Sequence, residues 1–192
     1  MLATLPTITL VPFRPDETGD FDGQDHGARL IDELCASVYR REIQYGAGDE
    51  RLEAAYARLE FFTPAQKRSE FLAYYGLGEC LFAVDKQRGN LPVGFVIVQE
   101  VEGRNDCYEI GRYLLEEERH RKYGRSMLAK IEGVLLDRGA KEVIAVTDIQ
   151  NAPAQRSLLS VGFKPGRPQF TDRLAEFPSA RCVTFSKSLA YA

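Results

Sequence analysis

From residue 79 onward the chain alternates short apolar runs with polar, glycine-containing turns, a pattern typical of β-strands. Strand-like runs cover residues 79–85, 93–101, 108–115, 142–147, 163–169 and 181–189. The run at 93–101 is apolar at both alternating sets of positions, which predicts a central strand covered on both faces. A further β-rich run at 7–13 is bounded by prolines and predicts a first strand.

Helical spacing marks other parts of the sequence. Between Gly124 and Gly139 apolar residues recur every three or four positions, and Gly139 follows them as the expected helix terminator. This apolar stripe consists of Met127, Leu128, Ile131, Val134 and Leu135. Earlier in the chain, the pattern predicts helices within 28–45, 50–61 and 63–75, separated by glycine and proline breaks. A last helix is predicted within 151–162, with Asn151 as its N-cap.

The order of these elements indicates a mixed sheet. The strands at 79–85, 93–101 and 108–115 follow one another through short turns and form an antiparallel unit. The strand at 142–147 follows a helix, and it must run parallel to 108–115 if that helix is a right-handed crossover. We therefore predict an α/β (α+β) fold in which a mostly antiparallel central sheet of six to seven strands is flanked by helices.

Composition narrows the classes of function. The 192 residues, of which 44% are hydrophobic and 28% charged, are typical of a soluble globular protein. The formal net charge of −3 argues against nonspecific binding to nucleic acid or to an anionic membrane, and it is compatible with an amine substrate. No run approaches the ~20 apolar residues of a transmembrane helix, and the N-terminus lacks the basic region of a signal peptide.

The four cysteines argue against a metal centre. None is spaced as CxxC, and only two histidines, His26 and His120, are present, so we expect no zinc site. Cys107 and Cys182 lie in predicted strands, where buried free thiols are common. We therefore expect a reducing, cytoplasmic location.

A basic turn precedes the helix that ends at Gly139. Residues 119–122 (RHRK) follow an acidic triplet at 116–118, and Gly124 comes shortly after. The N–H groups of a helix's first turn lack internal partners, and the helix dipole favours an anion there. Strand, basic turn and helix start together therefore predict a phosphate site. From these residues alone, the alternative is a solvated basic surface.

The same stretch resembles motif A of the GNAT superfamily of acetyl-CoA-dependent N-acyltransferases. That motif has Arg or Gln, two residues, Gly, one residue, then Gly or Ala. The register that we favour matches Arg119, Lys122 and Gly124, so that Lys122 stands where the first glycine would be. The other register, Arg121, Gly124 and Ser126, keeps the first glycine and loses the last.

Residues 151–163 resemble motif B of the same superfamily. The residues that carry this likeness are Asn151, Ala154, Gly162 and Phe163. The resemblance covers about residues 79–170 and implies a single domain over 1–192. In that domain, 1–78 would hold the first strand and the acceptor-side helices, 79–170 the acyl-CoA-binding core, and 171–192 the C-terminal strand.

The resemblance implies direct transfer of an acetyl or other acyl group from acyl-CoA to the amine of a small molecule or peptide, without a metal. A homodimer is left open. It also implies that the fourth and fifth strands splay apart and expose backbone groups to the pantetheine arm, from Tyr113, Leu114 and Leu115. Asn151 would hydrogen-bond the same arm. The expected pyrophosphate loop consists of Arg119, Arg121, Lys122, Tyr123, Gly124, Arg125 and Ser126.

An ammonium acceptor must lose a proton before it can attack, which requires a general base. Glu109, in the strand before the loop, is the base that we favour, because partial burial among apolar residues would raise its pKa. Simple exposure, or pairing with Arg112, is the structural alternative. Asp148, at the end of the next strand, is the rival base.

One residue departs from motif B. Leu158 stands where the family usually has a tyrosine that is credited with protonating the CoA thiolate. Ser157, Ser160, Tyr123 and a bound water are the candidate replacements. Together with Lys122, this departure motivates a second hypothesis, a GNAT-like module that binds acyl-CoA without turnover. A phosphate-binding protein of unrelated fold is a third.

Overall fold

One mixed β-sheet of seven strands forms the frame of the described part of the chain. The computed structural model describes residues 5–12, 78–149, 151–170 and 181–189. The strands are β1 (Ile8–Pro12), β2 (Glu79–Asp85), β3 (Leu91–Glu100), β4 (Cys107–Leu114), β5 (Glu142–Asp148), β6 (Lys164–Phe170) and β7 (Arg181–Ser188). The helices predicted within 28–75, and the loop predicted between the last two strands, lie outside the described residues.

The strands lie in the order β1-β2-β3-β4-β5-β7-β6. Every neighbouring pair is antiparallel except β4 and β5, which run parallel. Short turns are enough to join the antiparallel strands β2, β3 and β4, whereas the parallel step needs a crossover, which helix α1 (Tyr123–Asp137) supplies. The predicted mixed, mostly antiparallel sheet is confirmed, with seven strands.

Helix α1 ends where the sequence indicates. Gly139 has φ of 80°, its N–H donates to the Leu136 carbonyl at 2.8 Å, and the N–H of Ala140 donates to the Leu135 carbonyl at 3.0 Å. These two bonds form a Schellman motif, which satisfies carbonyls at the end of the helix. The start of the helix differs from the expectation by two residues, since α1 begins at Tyr123 and not after Gly124.

Helix α2 (Ala152–Leu159) follows β5 and packs against α1. Its N-cap is Asn151, as predicted, whose side-chain oxygen accepts from the Ala154 N–H at 3.3 Å. This bond satisfies one of the amides that every helix start leaves without a partner.

The main hydrophobic core lies between α1 and one face of the sheet. The stripe residues Met127, Leu128, Ile131 and Leu135 are fully buried there, while Val134 is partly buried. They contact sheet side chains such as Val96, Ile110 and Val143 in the same cluster. Each large aliphatic side chain buried in this way stabilises the fold by about 1.5–3 kcal/mol, which fixes α1 and its first turn against the sheet.

Candidate active site

The two parallel strands separate part-way along their length. Pairing between β4 and β5 covers three positions and ends at Glu109 and Ile144. Beyond that point β4 stays paired with β3 as far as Leu114, and β5 stays paired with β7 as far as Asp148. The predicted splay of the fourth and fifth strands is therefore confirmed, and a gap opens between them after Glu109.

The register of β4 against β3 decides which amides face this gap. The N–H of Leu115 donates to the Val93 carbonyl at 3.1 Å. Because successive residues of an antiparallel strand point their amides to opposite sides, Tyr113 also faces β3, while Arg112 and Leu114 face the gap. Of the three residues predicted along the pantetheine, Leu114 thus turns its amide to the gap, and so does Arg112, which was not predicted there.

The loop between β4 and α1 has an unusual backbone. Residues 119–122 follow a single 3₁₀ turn at Glu116–Glu118. His120 and Lys122 both have φ of 66°, in the left-handed region that glycine adopts most readily. Lys122 therefore has a backbone conformation that glycine adopts more readily than lysine.

The first turn of α1 presents its amides beside this loop. The Lys122 carbonyl accepts the first bonds of the helix, from the Arg125 and Ser126 N–H groups at 3.1 and 3.3 Å. The N–H groups of Tyr123 and Gly124 precede them and have no intrahelical acceptor. The side chain of Lys122 makes no capping hydrogen bond. With the helix dipole behind them, these two amides suit an oxygen anion.

Four cations surround this turn. Arg121, Lys122 and Arg125 are exposed and Arg119 is half-buried. Arg119 lies 4.0 Å from the Glu116 carboxylate, and the guanidinium of Arg125 donates to the Ser160 carbonyl at 3.3 Å. All four predicted basic residues therefore lie around the start of α1, where their charge favours an anion.

Arg112 joins the two helices over the gap. Its guanidinium donates to the Gly124 carbonyl at 2.8 Å, to the Ser157 hydroxyl at 2.9 Å and to the Ala154 carbonyl at 3.3 Å. Burial lowers the pKa of this guanidinium to about 10, so it stays charged at neutral pH. A Cβ added at Gly124 would lie 3.1 Å from Arg112 Nη1, which explains why the smallest residue is found there.

Two residues of the predicted pyrophosphate loop turn their side chains inward. The buried hydroxyl of Ser126 donates to the Pro6 carbonyl at 2.8 Å. The hydroxyl of Tyr123 donates to the Asp85 carboxylate and accepts from Arg88 at 3.3 Å. These side chains belong to the frame of the site, and only the main chain of Tyr123 borders the loop.

The two candidate bases lie on one face of the sheet, apart from each other. Glu109 is the last residue of β4 that pairs with β5, and the gap begins after it. Ile144 of β5 pairs with Glu109, and Asp148 lies four residues beyond Ile144, about 13 Å along the strand. Arg112 is three residues from Glu109 on an extended strand, so the two point to opposite faces. The structure thus gives Arg112 neutral partners on the helices instead of the predicted alternative pairing with Glu109.

Comparison with known proteins decides the family. Residues 49–163, more than half of the chain, match the model of the acetyltransferase (GNAT) family. The chain belongs to the GNAT family. Among curated proteins, none matches it by sequence.

Solved structures of acetyltransferases share the fold at low identity. An acetyltransferase of the GNAT family from Bacillus anthracis is 15% identical, with 96% of each chain covered and a TM-score of 0.64. An acetyltransferase from Thermus thermophilus is 15% identical over 96% of this chain and 99% of its own, with a TM-score of 0.62. Spermidine N-acetyltransferase from Vibrio cholerae, in complex with CoA and spermine, is 11% identical, with 95% of each chain covered and a TM-score of 0.61. At these identities the likeness establishes the fold alone.

In this GNAT protein, Leu158 stands at the motif B tyrosine position, and three nearby hydroxyl side chains are the candidate proton donors in its place. Leu158 is buried, with 2% of its surface exposed, and has no proton to give. Tyr123 donates to Asp85, and Ser160 donates to the Ser157 carbonyl at 2.7 Å. Ser157 accepts from Arg112 and so keeps its own hydroxyl proton to donate. Of these three hydroxyl groups, that of Ser157 accepts a bond from a cation, whereas the other two donate to protein oxygens.

Within the described ranges, no group of three or more His, Cys, Asp or Glu side chains is arranged to hold a metal ion. Nor does any helix among the described residues have the length and apolarity needed to cross a bilayer. Cys80, Cys107 and Cys182 are buried free thiols in β2, β4 and β7.

Proposed function

We propose that this GNAT protein transfers an acetyl group, or another acyl group, from acyl-CoA directly to the amine of a small molecule. The observation that carries the proposal is the end of β4–β5 pairing at Glu109 and Ile144. It leaves a gap with backbone amides on one side, an anion site at one end and a carboxylate at its closed end. The same arrangement supports taking the chain as one acyltransferase domain.

The residues of the loop fit the diphosphate of CoA. The amides of Tyr123 and Gly124 would hold its oxygens, with Arg119, Arg121 and Lys122 adding charge. The start of α1 supports this fit, because its first internal bonds come from Arg125 and Ser126 and leave the two preceding amides to face a ligand.

The gap would hold the pantetheine arm. The amides of Arg112 and Leu114 would donate to it from β4. The Asn151 oxygen already accepts from Ala154, which leaves the side-chain NH₂ of Asn151 to donate to the arm. CoA bound in this way is the cosubstrate, and it supplies an activated thioester.

Glu109 is the proposed general base. Its position at the start of the gap would let it take the proton of an ammonium acceptor, directly or through a water. Attack on the thioester carbon then puts negative charge on the carbonyl oxygen, which amides facing the gap can stabilise without rearrangement. Collapse of this intermediate would break the C–S bond and form the amide as the nitrogen loses its second proton. That proton, relayed through the Ser157 hydroxyl, which accepts from Arg112, would protonate the departing CoA thiolate.

A small amine is the acceptor class that we propose. The relative from Vibrio cholerae is a spermidine N-acetyltransferase whose structure contains spermine, a polyamine. The formal net charge of −3 favours a cationic acceptor over an anionic one. A peptide amine is the alternative acceptor, and a peptide is therefore included in the assay described next.

Release of free thiol from acetyl-CoA tests the proposal, with polyamines, amino acids and a peptide as acceptors. At least one amine should accelerate release. The Glu109→Gln variant should then lower kcat by roughly 10²–10⁴-fold and leave the Kd for CoA unchanged, while Asp148→Asn should change kcat little. If the two variants exchange these effects, Asp148 is the base.

Loss of the motif B tyrosine favours a second candidate, an acyl-CoA-binding module without turnover. Leu158 is buried and carries no ionisable group. This candidate would show CoA binding by calorimetry and no thiol release with any amine. A protein that binds neither CoA nor acetyl-CoA would contradict both candidates.

A further inference from the structure

Arg88 contacts both ends of the basic loop at 119–122. This arginine lies in the turn between β2 and β3, at the end of a 3₁₀ helix (Lys86–Arg88). Its Nη1 lies 2.5 Å from a carboxylate oxygen of Glu118, the residue just before the loop. The same atom lies 3.3 Å from the hydroxyl of Tyr123, the residue just after the loop. One side chain from a distant hairpin therefore links the two residues that flank the loop.

The partners of Arg88 are held firmly. Glu118 and Tyr123 are each 3% exposed, and Asp85 is 4% exposed. The Tyr123 hydroxyl donates to Asp85, which also accepts from the Gln87 N–H at 2.9 Å and so caps the turn that carries Arg88. Arg121, within the loop, approaches Glu118 at the longer distance of 3.7 Å. A buried carboxylate needs such cations, because an unpaired charge in the interior is strongly unfavourable.

The loop between these two ends is strained. His120 and Lys122 each hold φ of 66°, a conformation that residues with a Cβ rarely adopt. Such strain persists only where the surrounding structure over-determines the backbone. The links from Arg88 to Glu118 and Tyr123 supply that constraint on both sides of the loop.

We propose that Arg88 is a positioning residue for acyl-CoA. It fixes the separation of Glu118 and Tyr123, and thereby aims the amides at the start of α1 toward one anion before the ligand arrives. Arg88 acts through these two residues and does not touch the ligand. The proposal rests on the proposed function, because it assumes that the loop holds the diphosphate of CoA.

The test compares CoA with pantetheine, which lacks the diphosphate. In Arg88→Met, which keeps the apolar stem, we expect the Kd for CoA by calorimetry to rise roughly tenfold through lost preorganisation. The affinity for pantetheine should stay unchanged. The KM for acetyl-CoA should rise by the same factor as the Kd, with kcat nearly constant. The Kd of Arg88→Lys for CoA should lie between those of the wild type and Arg88→Met, because the lysine ammonium can pair with Glu118 but lacks the planar guanidinium that contacts both partners.

A double variant separates positioning from general stability. Glycine adopts the left-handed conformation without strain, so Lys122→Gly added to Arg88→Met should recover part of the lost CoA affinity. Lys122→Ala in the same background removes the same charge and keeps a Cβ, so it should recover none. Equal effects of the two second substitutions would overturn the proposal.

Two further outcomes are decisive. If Arg88→Met lowers the melting temperature and leaves the Kd for CoA unchanged, Arg88 has only a structural role and the proposal fails. If that variant does not fold, Tyr123→Phe replaces it, since it keeps the ring and removes both hydroxyl contacts; an unchanged Kd there also refutes the idea. Failure of the wild-type protein to bind CoA contradicts the proposed function itself and is thereby distinguished from failure of the Arg88 proposal.

Discussion

Replacing Lys122 by glycine should make the protein more stable, although it removes a large side chain. Lys122 has φ of 66° and ψ of 6° at the N-cap of α1. The left-handed conformation is unfavourable for a residue with a Cβ by roughly 1–2 kcal/mol. Glycine loses more conformational freedom on folding than lysine does, which offsets about 0.5–1 kcal/mol of the stability gained by relieving this strain. The net expectation is a gain of about 0.5–1 kcal/mol in the free energy of unfolding.

Urea denaturation of the apoprotein measures this gain, and Lys122→Ala is the matched control. Alanine removes the same charge and the same stem, but its Cβ keeps the strain, so we expect no stabilisation from it. For a chain of this size, a gain of about 1 kcal/mol raises Tm by about 2–4 °C. If the glycine variant is no more stable than the alanine variant, the left-handed backbone at Lys122 is not strained in solution, and the argument fails.

Three other predictions follow from the packing. Gly94→Ala should destabilise the fold by about 1–3 kcal/mol, because the new Cβ would lie 2.1 Å from a carbonyl oxygen of β4. Gly111→Ala in the same sheet is the control: its Cβ would meet its nearest neighbour at 3.9 Å, and stability should change by less than about 0.5 kcal/mol. Equal urea midpoints for the two variants would contradict this. Gly124→Ala should displace the Arg112 guanidinium, 3.1 Å from the new Cβ, and raise the Kd for CoA roughly tenfold in calorimetry, and an unchanged Kd would refute the close approach. Burial raises the pKa of the Cys80 thiol to about 12. The neutral thiol's contribution to the free energy of unfolding is therefore complete below about pH 8.5, the pKa of an unfolded cysteine, and is lost as pH rises toward the pKa of the folded state. The Cys80→Ala variant should lose less stability over that pH range, and identical pH profiles of the two proteins would contradict this prediction.

The sequence by itself determined the elements that depend on neighbouring residues. The apolar stripe of α1 and its termination at Gly139 follow from spacing over a few turns, and the Schellman bonds at Gly139 and Ala140 agree. The strands follow from alternation, and their order around one crossover helix was enough to predict a mixed sheet. These features were predictable because the interactions that form them are local or repeat with a fixed period.

Only the tertiary structure decided how the site is assembled. The register of β4 against β3 turns the amides of Arg112 and Leu114 toward the gap, and a shift of one residue would reverse that choice. Arg112 contacts Ser157 across 45 residues of sequence, and Arg88 contacts Glu118 and Tyr123 across 30 and 35. No periodicity carries information over such separations, because a cation finds its partner through the packing of whole elements and not through spacing along the chain.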